Sequence, residues 1–142
     1  MTTRFRFLIS LWMRARLLPF LVRGRPLNSV LSLAIYDGPP VFEALDAAYI
    51  CQQVQRMTRR PLLMRKRRCL RDGLLGYYFL QAAGHAPELR FAVERKSLNK
   101  KKVQAHCWLC LNSRPVLSDK TDDMVEIFVF SGSSAEGGMV PA

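Results

Sequence analysis

The stretch Cys69 to Arg95, CLRDGLLGYYFLQAAGHAPELRFAVER, changes its period half-way, and that change decides the fold class. In the first part Leu70, Leu74, Tyr77, Tyr78 and Leu80 or Gln81 recur at steps of three and four, the spacing of one helix face. Gly84 then stands where a glycine closes a helix in the left-handed conformation. Beyond Pro87 the step becomes two: Leu89, Phe91 and Val93 alternate with Arg90, Ala92 and Glu94, the pattern of a half-buried strand. The spacing predicts a helix with Cys69 at or just before its first turn, followed by a strand.

Downstream, a polar basic loop, Ser97 to Lys102, leads to a second strand over Val103 to Leu111, with a short third at Pro115–Leu117 and a fourth at Val125–Phe130. Upstream, Arg4 to Val22, Leu27 to Ile35 and Val41 to Met57 carry apolar residues at helical spacing, so the first sixty residues read as helical. Pro19 is expected to bend or end the first helix, and Gly24-Arg-Pro26 marks a turn. Helices first and an antiparallel sheet afterwards is an α+β architecture. At 142 residues the chain suits one domain over 1–130, made of a basic helical region (1–60) and a core (61–130), with a Gly/Ser-rich flexible tail at 131–142.

The formal charge of +11 is unevenly spread: up to Arg71 there are 14 basic and 3 acidic residues, and from Asp72 onward 8 of each. An N-terminal excess of this kind favours an anionic partner without specifying one. Residues 4–22 fit two readings, a helix packed on its own domain with arginines at the rim, or a basic amphipathic helix on an anionic membrane or in a partner's groove. The packed helix is the commoner case. Arg65-Lys-Arg-Arg68 lacks any accompanying nucleic-acid-binding pattern. No stretch reaches the roughly eighteen apolar residues of a membrane span, and no secretory signal is visible. Four irregularly spaced cysteines (51, 69, 107, 110) do not form a disulfide framework and fit a reducing cytoplasm.

Gln104-Ala-His-Cys-Trp-Leu-Cys110 sets two cysteines three apart, but on a strand Cys107 and Cys110 face opposite sides, so they do not converge on one zinc ion. Gln104, His106, Trp108 and Cys110 share the other side. A cysteine at a helix start has its thiolate stabilised by the positive helix end, which makes Cys69 a candidate nucleophile; the competing reading is one more buried thiol. His106 is the candidate base, and Asp119, with Asp122 and Asp123 as substitutes, the candidate carboxylate that orients the imidazole.

A helix-start cysteine, a strand histidine and a later acid form the layout of papain-like and transglutaminase-like enzymes. More specifically, Cys69-Leu70, Gly84, Leu89 to Arg95, Ala105-His-Cys-Trp-Leu-Cys110 and Leu117-Ser-Asp119 resemble the transglutaminase-like core of the lasso peptide leader peptidases. Cys107 and Cys110 stand where that family usually has Ala and Glu. The resemblance implies a Cys69–His106–Asp119 thiol protease, without metal or cofactor, that cuts a lasso precursor at the leader–core junction so that a separate macrolactam cyclase acts on the core. It also implies dependence on a separate leader-recognition protein. The Cys69 N–H and Gln104 are candidate oxyanion donors, and Trp108 is a candidate wall of the substrate cleft. Two other classes compete: a transglutaminase-like acyl transferase using the same three residues, and a non-enzymatic basic protein binding membrane or nucleic acid.

Overall fold

The computed structural model describes residues 2–59, 68–97, 105–117 and 124–131. Four helices precede a four-stranded sheet: α1 (Thr3–Val22), α2 (Leu27–Ser32), α3 (Ala47–Thr58), α4 (Arg68–Ala82), then β1 (Glu88–Glu94), β2 (Ala105–Leu111), β3 (Arg114–Leu117) and β4 (Met124–Ser131). The sheet runs β3-β2-β1-β4 with every neighbour antiparallel. The α+β expectation is met, with the helices before the strands. The loop at 98–104, the basic residues 65–67 and the tail at 132–142 lie outside the described residues.

Register explains how one sheet face becomes the core. Leu89 lies opposite Leu109 on one side and Phe130 on the other, and Leu109 lies opposite Leu117. Directly paired residues share a face, so Leu117, Leu109, Leu89 and Phe130 form one apolar row across all four strands. Cys107, Phe91 and Phe128 form the next row. These rows pack on α4, and the same buried cluster continues through Leu74, Tyr77 and Phe79 into α1. Phe7 of α1 meets the Phe79 ring edge-on at 5.2 Å and the Phe42 ring at 5.6 Å. The opposite face of the sheet carries a small cluster of Ala92, Trp108, Cys110 and Met124. Beside it Arg90, paired across from Trp108, binds Glu88 at 2.9 Å and Glu126 at 3.1 Å.

The helix α4 lies low on the sheet because two of its residues have no side chain. A Cβ on Gly73 would stand 2.6 Å from Leu89 Cδ1, and one on Gly76 would stand 2.8 Å from Leu109 Cδ2 and 2.9 Å from Leu117 Cδ2. The far end of α4 closes as the sequence predicts: Gly84 has φ +90°, its N–H donates to Gln81 O, and the His85 N–H donates to Leu80 O, both at 2.9 Å. This is the paired-bond ending that a left-handed glycine permits. The last α4 carbonyl, Ala82 O, accepts from both Val41 N (2.8 Å) and Phe42 N (3.1 Å).

That bond pair corrects one expectation. The third helix starts at Ala47 instead of Val41 because Val41 and Phe42 direct their N–H groups to the end of α4. Likewise α2 stops at Ser32, and Leu33, Ala34 and Ile35 each donate back three residues, a tightened turn in place of continued helix. The first sixty residues are thus helical in three pieces. The hairpin from β2 to β3 turns on Asn112 (φ 53°) and Ser113 (φ 66°), two successive left-handed residues that match the twist of the strands.

Pro19 neither ends nor truncates α1, which runs three residues further to Val22. Proline has no N–H, so the carbonyl of Ala15, four residues back, loses its helical donor. In its place Arg71 Nη2 donates to Ala15 O at 2.6 Å. Arg71 is buried, 7% exposed, next to the equally buried Asp72. The guanidinium therefore fills a vacancy that proline creates.

Two outcomes test this packing. Arg71→Met leaves Ala15 O without a donor and is expected to cost about 1–3 kcal/mol in urea unfolding; Pro19→Ala, which restores a main-chain donor, is expected to recover stability in the Arg71→Met background and less in the wild type. Gly76→Val is expected to destabilise by about 1–3 kcal/mol through overpacking against Leu109 and Leu117, read as a lower thermal midpoint.

Candidate active site

Cys69 is the second residue of α4, at the helix end whose unpaired N–H groups carry partial positive charge. Its half-buried side chain meets the sheet at the beginning of β2. The Cys107 Sγ lies 3.8 Å from where a Gly73 Cβ would stand, one helical turn after Cys69, so Cys107 faces α4 along the same side as the candidate nucleophile. Alternation along β2 thus has the outcome expected for the pair: Cys107 belongs to the main core and Cys110 to the cluster on the opposite face.

The electrostatics single out one thiol. The Cys69 pKa is lowered to about 6, chiefly by a hydrogen bond with the Cys107 side chain. Burial opposes the shift, while the Cys107 main chain, the charge on His106 and the Leu70 main chain add to it. In contrast Cys51 is pushed up to about 11 by burial and then by Asp46. Cys110 is raised by burial, against the opposing charge of Arg90. At neutral pH Cys69 is therefore largely thiolate, whereas Cys51 and Cys110 are thiols.

His106 is the second residue of β2, lies opposite Ala92 and is exposed. It leaves the strand on the side opposite Cys107, and among the described residues no hydrogen bond joins it to Cys69; the interaction between them is electrostatic. Trp108 lies on the His106 side, 3% exposed, within the cluster of Ala92, Cys110 and Met124. Asp119, its substitutes Asp122 and Asp123, and Gln104 lie outside the described residues. The structure thus brings Cys69 and the start of β2 together.

A groove of about 510 Å³ lies elsewhere, along α1, lined among others by Leu17, Tyr36, Val41 and Tyr78. Tyr78 is nine residues after Cys69 on α4, roughly 14 Å along the helix axis at 1.5 Å per residue. The groove is not the thiol's own pocket.

A family model described as the transglutaminase-like superfamily matches residues 5–129, from the first turns of α1 to β4. The chain belongs to the transglutaminase-like superfamily. No curated protein and no solved structure matches it. This superfamily is generally catalytic and includes cysteine proteases and acyltransferases, both of which work through an acylated thiol. Within the transglutaminase-like domain, the residue that sequence reasoning undervalued is Cys107. The sequence offers it only as a core-facing neighbour of His106, yet its side chain and main chain are hydrogen-bond partners of the Cys69 sulfur. The signal was present in the strand alternation, which turns residue 107 toward the helix bearing Cys69.

The thiolate form of a group with a lowered pKa is populated above that pKa and lost as pH falls through it. Iodoacetamide is expected to alkylate Cys69 with a midpoint near pH 6, with Cys51 and Cys110 unreacted at neutral pH; peptide mapping by mass reads this. Cys107→Ala is expected to move the midpoint upward, toward the ordinary thiol value of about 8.5.

Proposed function

We propose that the protein is a thiol peptidase that removes the leader from a lasso precursor peptide. The observation that carries the reading is the Cys69 thiolate, held at the start of α4 against the strand that bears His106. It is supported by the resemblance of Cys69-Leu70, Ala105-His-Cys-Trp-Leu-Cys110 and Leu117-Ser-Asp119 to the lasso leader peptidases, and by membership of a superfamily that contains cysteine proteases.

In this reading the Cys69 sulfur attacks the carbonyl carbon of the last leader residue. The peptide C–N bond breaks as His106 protonates the leaving nitrogen, which releases the core with a free amino terminus. Water then attacks the leader thioester, regenerating the thiol and freeing the leader as a carboxylate. Asp119 is assigned to orient the imidazole, and the Cys69 N–H to stabilise the oxyanion. Because His106 leaves β2 on the side opposite Cys107, this reading requires the first residues of β2 to turn toward the sulfur as substrate binds. A separate leader-recognition protein presents the precursor, and a cyclase takes the released core.

The test mixes the protein with a lasso precursor and a leader-recognition protein and reads peptide masses. Leader and core at their hydrolysed masses are expected for the wild type, with cleavage lost in Cys69→Ala and reduced at least about 10²-fold in His106→Ala. Leader trimming that persists in Cys69→Ala overturns the reading. A leader mass above the hydrolysed one by that of an added amine less one water identifies acyl transfer instead.

A further inference from the structure

Among the described residues, the large apolar side chains left exposed are Phe5, Ile9, Trp12, Met13, Leu17, Phe20, Leu21, Leu27 and Val41. All belong to the first 41 residues, and the first seven lie on α1. The inward stripe of α1 (Phe7, Leu11, Ala15, Leu18, Val22) is fully used in the core. Phe5, Ile9, Trp12, Met13 and Phe20 follow steps of three and four on the opposite side, so α1 is apolar on two faces. Its outer face runs about 30 Å, at 1.5 Å per residue, with Phe20 at 66% exposure near the end and Met13, Leu17 and Leu21 at the edge of the groove along α1.

Charge identifies what this face fits. Residues 1–36 contain Arg4, Arg6, Arg14, Arg16, Arg23 and Arg25 and no acidic residue; the first is Asp37. Arg16 stacks its guanidinium over the exposed Trp12 ring at 4.4 Å. An outward row of Phe, Trp, Leu and Ile flanked by arginines is the composition of a helix lying in the headgroup layer of an anionic bilayer. No helix of the described residues is long and apolar enough to cross a membrane, so the helix would lie along the surface. A second copy of this chain fits poorly, because apposing two such faces would oppose arginine to arginine at a net charge of +11 per chain.

Arg4 and Arg14 turn inward over the Tyr49 and Tyr78 rings, which leaves Arg6, Arg16, Arg23 and Arg25 to the outside. We infer that the outer face of α1 docks the protein on the surface of an anionic lipid bilayer, with its exposed apolar side chains in the headgroup layer and these four arginines on the phosphates. The activity proposed above is not needed for this docking.

The full chain is sedimented with vesicles of phosphatidylglycerol and phosphatidylcholine in equal parts, and with phosphatidylcholine alone. Partition onto the anionic vesicles is expected to exceed that onto neutral ones by about tenfold or more and to fall as salt is raised. Leu17→Glu/Phe20→Glu, at exposed positions that leave circular dichroism and thermal midpoint unchanged, is expected to lower it by about tenfold or more. Arg6→Gln/Arg16→Gln is expected to weaken it while flattening its salt dependence, and Cys69→Ala to bind as the wild type does. No sedimentation with anionic vesicles, equal sedimentation of Leu17→Glu/Phe20→Glu, or a wild-type dimer in gel filtration that this variant abolishes would each overturn the inference. So would binding of an acidic amphipathic peptide in place of vesicles.

Discussion

The fold depends on a buried cation standing in for a missing proton donor. Proline three residues before the end of a core helix ordinarily bends or ends it and leaves a carbonyl without a partner, at a cost near 3 kcal/mol. Here Arg71 reaches from the first turn of α4 to that carbonyl. A charged donor in a dry setting makes a stronger bond than the peptide N–H it replaces, and Asp72 beside it balances the charge. The result fixes α1 to α4 at one point along both helices. Because Arg71 comes two residues after Cys69, the bond also fixes the helix turn that presents the Cys69 thiol.

Ionisation of that thiol is likewise a matter of neighbours. Three thiols of this chain are nearly inaccessible, and burial alone pushes a thiol toward its neutral form. Cys69 is half-buried too, but the end of its helix and the first residues of β2 surround its sulfur with donors. The helix end and strand start each contribute a main-chain group, and the Cys107 side chain contributes the largest part. A transglutaminase-like frame supplies this geometry without regard to which acceptor, water or amine, ends the reaction.

Much of this was legible in the sequence. The switch from a three-and-four period to a two period at Pro87 located α4 and β1, Gly84 gave the helix end, and alternation separated Cys107 from Cys110. Where the reading failed, the cause was long-range. The start of α3 is set by Ala82, forty residues away, which draws in the N–H groups of Val41 and Phe42. The uninterrupted passage of α1 through Pro19 is set by Arg71, which no local pattern connects to it. The reason for two glycines inside α4 appears only with the leucines of the sheet packed on them. Cys69 and the His106 strand were found from spacing alone, whereas the role of Cys107 needed three dimensions.

The glycine seat also determines how the Cys69 thiol is held over evolutionary change. At Gly73 and Gly76 no helix side chain stands between the α4 backbone and the sheet. The height of the sulfur above β2 is thus set by main chain resting on leucine, instead of by interlocking side chains. Drift among the apolar residues of the remaining core leaves that height untouched. Growth at either glycine lifts the helix and carries the sulfur away from the donors that keep it ionised.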